Sequence, residues 1–396
     1  MESLRYRPKT ARSLTRQHKV SAKVFKFTAN LLNEHLKFPT AKNSIYNTSD
    51  INHCLIQLSL SEGYAESGLA NLAEKCNPKN NTPTGRTFRA RIESLDETQI
   101  REALTNSNDQ VLQVIKSCGL FRRKAVVALD YTRDLFYGNP NAKNVVGGKQ
   151  EKGTTWGYSY ASIDVVESGK RLTLYTMTVN QFTEKAHAVE KLIAQTKARG
   201  VHIDLVLLDR AFFTIDVITK LLKLKVHFII PAVKNDKVKQ AMQNYDKKEP
   251  AKRFTLGDQK KGVSFNLVIY PRTAKQLPKK KKLNVCDLYF GFATNLPRHL
   301  ATELPAFIPS EYRRRWGIET GFRVQDNVQA KTTSRKYVVR LLYHLASVFF
   351  YNVWNYANLL LCRALKRQFV KPLLKLSMLA VHFEGFIVGG LGPPRH

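Results

Sequence analysis

Ala125-Val126-Val127-Ala128-Leu129-Asp130 is a short apolar run that ends in an acid, and Ile203-Asp204-Leu205-Val206-Leu207-Leu208-Asp209 repeats the device further along the chain. Runs of this kind suit strands buried on both faces, as parallel strands flanked by helices are. The neighbouring pattern agrees. Thr154–Val166 and Arg171–Val179 alternate as strands across the turn Glu167-Ser168-Gly169-Lys170. Thr183–Arg199 reads as a helix ending at Gly200, Phe213–Leu224 as a second helix and Val226–Ile230 as another strand. The order β-β-β-α-β-α-β predicts an α/β (α+β) fold with a mixed sheet and helices packed on it.

Working outward, residues 1–120 read as a helical domain, with helical spacing of apolar residues in Val24–Leu36, Ile51–Ser61, Ser67–Cys76, Arg86–Leu95 and Glu97–Ser117. The cluster Asn77-Pro78-Lys79-Asn80-Asn81-Thr82-Pro83-Thr84-Gly85 must break any helix. A helix opening with Arg86, Arg89 and Arg91 follows it, which suits either a helix-turn-helix or an ordinary helical pair with a basic face. Residues 121–370 read as a second domain, interrupted at 233–300 by a β-rich insertion. Its candidate strands are Arg253–Leu256, Val263–Tyr270 and Asn284–Thr294, and Arg272–Lys282 holds six basic residues and no acid. Helical pattern returns at Pro309–Asp326 and Tyr337–Leu365, and residues 371–396 read as a C-terminal tail.

Charge limits the function. The 396 residues carry 64 Lys+Arg against 31 Asp+Glu, a net +33, which implies a polyanionic partner such as nucleic acid or an anionic membrane. The 43% hydrophobic content argues against a disordered basic tail protein. Cys54, Cys76, Cys118, Cys286 and Cys362 are odd in number and widely spaced, so reduced buried thiols are expected rather than a zinc ribbon or disulfides. Met1-Glu2-Ser3-Leu4-Arg5-Tyr6-Arg7-Pro8 contains no apolar core of a secretory signal. Leu341–Cys362 is uncharged and long enough for a bilayer, but it carries His344, Ser347, Asn352, Asn355 and Asn358, which are costly in lipid. A helix buried across a sheet is the expected reading, with no membrane partner.

Asp130 and Asp209 close strands of the same kind, and in an open α/β sheet chemistry gathers at the carboxyl ends of parallel strands. Were the two strands parallel neighbours, their carboxylates would repel unless a divalent cation lay between them, and Mg²⁺ favours such hard oxygen ligands. The plain alternative is a pair of strand-end acids capping turns or meeting Arg133 or Arg210. A third element is Glu311-Tyr312-Arg313-Arg314-Arg315-Trp316-Gly317-Ile318-Glu319-Thr320-Gly321-Phe322-Arg323. On one helix, Tyr312, Arg315, Glu319 and Arg323 share a stripe, and Trp316 lies off it as a candidate core residue. Tyr and Arg can grip a phosphate while Glu completes a metal site, or the stripe can be a solvated salt-bridge ladder.

These residues resemble the DDE transposases of prokaryotic insertion sequences, in the branch with a β-strand insertion and the signature Tyr-x2-Arg-x3-Glu-x6-Lys. Tyr312, Arg315 and Glu319 match that spacing. Asp326 stands where the signature has Lys, leaving Arg323 or Lys331 to supply the cation. Asp130 and Asp209 match the family's first two acids, and Ser334-Arg335 with the long apolar helix also fits. The resemblance covers about residues 120–365. It implies an RNase H-like catalytic domain in which Asp130, Asp209 and Glu319 converge within bridging reach of two Mg²⁺ ions, with Mn²⁺ able to substitute. It implies cutting of element ends and joining of the 3′-OH to target DNA. Double-stranded DNA would be held by Tyr312, Arg315, Arg323, Arg86, Arg89, Lys279, Lys280, Lys281 and Lys282, by a homodimer in the cytoplasm, associated with the nucleoid. A metal-dependent nuclease or resolvase on the same fold, and a domesticated DNA-binding protein without catalysis, are the competing readings. Paired carboxylates also occur in glycosidases, but a net +33 gives no reason for a neutral sugar substrate.

Overall fold

The first five helices are α1 (Ala11–His35), α2 (Thr48–Leu60), α3 (Ala65–Lys75), α4 (Gly85–Glu93) and α5 (Glu97–Ser117), and α2, α4 and α5 start where polar side chains take up free N–H donors. Asn47 with Asp50, and Asp96 with Gln99, form capping boxes before α2 and α5, and Thr84 caps α4. The computed structural model describes residues 11–39, 41–76, 82–167, 169–258, 260–279, 282–304 and 306–389, so much of the turn cluster at 77–85 lies outside it. Two units separate by their contacts: Met1–Leu120 with Ser168–Leu172 and Phe322–His396, and Phe121–Glu167 with Thr173–Gly321. In the first unit α3 packs on α4. Their approach is so close that a Cβ on Gly85 would lie 2.6 Å from the Glu66 nitrogen, so only glycine fits.

The second unit is built on a nine-stranded sheet. Its strands are β1 (Ala125–Leu135), β2 (Val145–Glu151), β3 (Thr154–Glu167), β4 (Lys170–Val179), β5 (Ile203–Leu208), β6 (His227–Pro231), β7 (Ala251–Gly257), β8 (Gly262–Pro271) and β9 (Tyr289–Thr294), in the order β2-β3-β1-β5-β6-β9-β8-β7 with β4 also paired to β3. Helices α6 (Lys185–Ala198), α7 (Ile215–Lys223), α8 (Asp236–Gln243), α9 (His299–Glu303), α10 (Phe307–Arg313) and α11 (Trp316–Asp326) complete the chain order to that point. β1, β5 and β6 run parallel, and β3 lies antiparallel on the other side of β1, which is the mixed, RNase H-like sheet expected.

The structure adds to the sequence reading in several places. β1 continues past Asp130 to Leu135, paired there with β3, because half-buried Tyr131–Leu135 shows no alternation to reveal a strand. The insertion is built into the sheet. β9 pairs antiparallel with β6, β8 with β9 and β7 with β8, so it extends the same sheet. Within it, Asn235 caps α8, which buries Val238 and Met242 one turn apart. The helix expected over Pro309–Asp326 is broken at Arg314-Arg315 into α10 and α11.

α12 (Tyr337–Ala364) and α13 (Leu376–Val388) belong to the first unit. α12 packs among α5, α1, α4 and α2, so its apolar residues meet helices where a sheet was expected, and α13 occupies much of the expected tail while residues 390–396 lie outside the described structure. The three asparagines of α12 are paired within the protein. Asn352 Nδ2 donates to Asn108 Oδ1 at 2.7 Å, and Asn355 Nδ2 to the Tyr351 carbonyl at 2.9 Å. Asn358 accepts from the Leu373 and Leu374 N–H groups at 2.7 Å and donates to the Trp354 and Leu374 carbonyls. Among the described residues no helix is long and apolar enough to cross a membrane, and all five cysteines are free.

Asn358 thereby pins the connection after α12. Asn358→Leu would leave the buried Leu374 N–H and the half-buried Leu373 N–H without their acceptor, and is expected to destabilise by about 2–4 kcal/mol. Urea unfolding checks it, with a midpoint equal to wild type as the contrary result.

Candidate active site

Parallel pairing of β1 with β5 ends at Leu129 opposite Leu208, so Asp130 and Asp209 are the next residues out, side by side at the carboxyl edge of the sheet. β5 stops there, and Asp209 opens a 3₁₀ turn, Arg210–Phe212, to which its carboxylate makes no capping bond. The Tyr131 ring lies 5.0 Å from the Phe212 ring and ties the two strand ends together.

The third acid arrives from α11. Gly317 permits this: a Cβ there would sit 2.9 Å from the Val166 Cβ, so the first turn of α11 rests directly on β3. Arg314 anchors the break before it, pairing with Glu311 and lying 4.0 Å from Glu167, whose carboxylate accepts from the Val126 N–H. Arg315, only 8% exposed, then bridges two acids. Its Nη1 donates to Asp130 Oδ2 at 2.7 Å and its Nη2 to Glu319 Oε1. The Tyr312 ring packs against Phe292 of β9, 5.3 Å between centroids, so the insertion strand positions the phenol beside Arg315.

Burial pushes the Asp130 carboxyl up to about 6. Arg315 and the Tyr131 N–H pull it down, and Asp209 and Glu319 push it up. That mutual influence places the three acids in one electrostatic cluster. Burial also pushes the Tyr312 phenol up to about 12, against the pull of Arg315, so it is a neutral donor at ordinary pH. Burial works against the Arg315 charge, but Tyr312, Asp130, Glu319 and Asp209 together raise its pKa.

The set suits a divalent cation in kind: three carboxylates offering hard oxygens, two of them already gathered around a guanidinium that stands in for a cation. The spacing differs from the expectation. Among the described residues no three acidic, histidine or cysteine side chains are close enough to share one ion, and the Arg315 guanidinium lies between Asp130 and Glu319.

Other site residues fall as follows. Lys279 and Lys282 are exposed in the connection from β8 to β9, while Lys280 and Lys281 lie outside the described residues. Because β9 runs antiparallel to β6, that connection reaches the sheet at the same edge as Asp130 and Asp209. Arg323 is exposed on α11, one turn beyond Glu319, and Asp326 is also exposed. In the helical unit Arg86 is exposed, whereas Arg89 forms an ion pair with Glu66 at 2.5 Å. Trp316 is 57% exposed rather than core. One residue escaped the sequence reading. Asp164 of β3 pairs in register with Ala128, two residues from Asp130 on the same face. It is fully buried, Thr173 bonds it and its Oδ1 has no partner. An acid inside the apolar strand Thr154–Val166 was the only signal for it.

The profile of the Transposase DDE domain family matches residues 125–340, and the chain belongs to that family. No curated protein sequence matches it significantly. Among solved structures it is similar to a piggyBac transposase in a synaptic complex with hairpin DNA, determined by cryo-electron microscopy. The TM-score is 0.56 at 12% identity, over 95% of this chain and 80% of that one, a likeness of fold.

Burial pushes the Asp164 carboxyl well above its ordinary range. Its favourable contribution is complete below the pKa of the unfolded chain, about 3.9, and is lost as pH rises toward the folded value. Asp164→Asn removes that loss. The variant is expected to melt at or above wild type at pH 7.5, with the difference shrinking toward pH 4. Thermal melts at the two pH values check it, and a variant less stable at pH 7.5 than at pH 4 relative to wild type would refute it.

Proposed function

We propose that this transposase cuts DNA at element ends and joins the freed 3′-OH to target DNA, using Asp130, Asp209 and Glu319 as the carboxylates of a divalent-metal site. The observation that carries the reading is the adjacency of Asp130 and Asp209 across parallel β1 and β5, with Glu319 joined to Asp130 through Arg315. Two Mg²⁺ ions bound by these acids, with Mn²⁺ as a substitute, would supply Lewis-acid activation of the attacking oxygen and stabilise the leaving one.

The rest falls to the chain's own side chains. Tyr312, a neutral phenol, donates a hydrogen bond to a non-bridging oxygen of the scissile phosphate. Arg315 offers the same phosphate a two-pronged guanidinium. In the first step a water oxygen forms a bond to phosphorus, the bond from phosphorus to the 3′ oxygen breaks, and that oxygen leaves as a hydroxyl. In the second, that 3′ oxygen loses its proton and forms a bond to a target phosphorus, the target's own bond from phosphorus to its 3′ oxygen breaks, and that oxygen takes up a proton and leaves as a target 3′-OH. The exposed Lys279 and Lys282, with Lys280 and Lys281 between them, hold flanking phosphates at the active edge. The helical domain reads the element end, with exposed Arg86 as the first candidate for base contacts and Arg89 the second. Two protomers act together on DNA in the cytoplasm of a prokaryotic host, and the element is an insertion sequence.

Asp130→Ala, Asp209→Ala and Glu319→Ala are each expected to lower metal-dependent cleavage and strand transfer by about 100-fold or more while DNA binding itself is retained. Gel assays with pre-cut and intact ends check both steps. Cleavage without strand transfer in the wild-type chain would favour a nuclease, and full activity in any variant would remove that residue from the site.

Arg323 takes the place of the cation that Asp326 cannot supply, since an acid repels phosphate and α11 presents Arg323 one turn from Glu319. Arg323→Ala should slow cleavage roughly 10–1000-fold, and Asp326→Ala little. A silent Arg323→Ala beside an inactive Asp326→Ala would reverse the assignment.

A further inference from the structure

Arg315 is held in an arrangement that neither cation nor DNA could share. Its guanidinium already takes Asp130 Oδ2 at 2.7 Å and Glu319 Oε1, while the other Asp130 oxygen accepts from the Tyr131 N–H at 2.8 Å. A divalent ion ligated by Asp130 and Glu319 competes with the guanidinium for the same two carboxylates, and two cations on one carboxylate pair repel. Something must leave, and Arg315 is placed to do so. It sits in the turn between α10 and α11 rather than inside either helix, and its buried Nε has no partner to hold it. An ejected guanidinium this deeply buried is unfavourable unless another anion receives it. A phosphate matches its planar fork as a carboxylate does.

We infer that Arg315 is an internal counter-ion that a divalent cation displaces from Asp130 and Glu319, and that a DNA phosphate captures. The inference rests on the metal-site reading proposed above and adds to it a coupling. Because each ligand removes the obstacle to the other, DNA raises cation affinity and cation raises DNA affinity by the same factor. Without either, the Arg315 bridge keeps the carboxylates neutralised and the site closed.

The test uses the full chain and Ca²⁺, titrated by calorimetry with and without a short duplex of arbitrary sequence at low salt, against a blank of duplex alone. Wild type is expected to bind Ca²⁺ about tenfold tighter or more with DNA present. Arg315→Gln should bind Ca²⁺ about 10–100-fold tighter than wild type without DNA, and should lose most of the DNA effect. Arg315→Lys keeps a buried charge without the fork, and should fall between the two. Thermal melts of each variant verify folding, and if Arg315→Gln fails to fold, Arg315→Lys carries the comparison. Should Ca²⁺ bind wild type, require Glu319 (lost in Glu319→Gln), yet bind the Arg315 variants no differently, the counter-ion inference fails while the metal site stands. Should no form of the chain bind Ca²⁺, with or without DNA, both fail together.

Discussion

The parallel pairing of β1 with β5 is the constraint on which the site depends. It stops at Leu129 and Leu208, and so fixes two acids in adjacent register at one edge of the sheet. A slip of one residue would send one carboxylate to the opposite face, since strand side chains alternate. The register is held by apolar burial on both sides: Val127, Ala128, Leu129, Val206, Leu207 and Leu208 are all inaccessible to solvent. Core packing and site geometry are therefore one requirement here.

Everything else at the edge is delivered to that pair. β9 is antiparallel to β6, and its Phe292 supports Tyr312. Gly317 lets α11 settle on Val166, and Arg314 fastens the break through Glu311 and Glu167. The same strand order returns the basic connection before β9 to the edge that carries the acids. The inserted strands are part of the machinery that places the third acid, because without β9 the phenol next to Arg315 loses the ring it packs on.

What the sequence made legible was what local pattern encodes. The two apolar runs with closing acids, the helical segments read between Val24 and Ser117 and the Tyr312-Arg315-Glu319 spacing all survive in the structure as strands, helices and a contact, although α1 begins earlier, at Ala11. The break at Arg314-Arg315 left no mark, because neither residue is a helix breaker and its cause is tertiary: Arg314 and Arg315 are drawn to Glu167 on β3 and Asp130 on β1. β2 was hidden behind Gly147-Gly148 and an exposed face with no alternation. α8 was overlooked although Asn235 and the Val238–Met242 spacing signalled it. The partner of α12 was not legible at all, since an all-round apolar helix fits a sheet or a bundle equally. Asp164 was lost among the apolar residues of β3, where nothing in the order of residues says which face an acid will meet.

Three acids packed together in a chain of net charge +33 look contradictory, yet the long-range charge does little for them. Exposed lysines more than about 10 Å away are screened by salt. Buried carboxylates need a counter-charge in contact, and Asp130, raised to about 6, shows how incompletely even a bonded guanidinium offsets desolvation and two acidic neighbours. Arginine suits this position better than lysine. It keeps its charge when buried, and one planar group can bond Asp130 and Glu319 at once, whereas an ammonium is a point charge that shifts its pKa readily. The same planar fork that makes Arg315 a good partner for two carboxylates makes it a good partner for a phosphate, so one side chain can stabilise the site before DNA arrives and grip the strand afterwards. The basic surface and the acidic centre are then complementary parts of one design: the first brings a polyanion to the edge of the sheet, and the second holds back its cation until that polyanion is there.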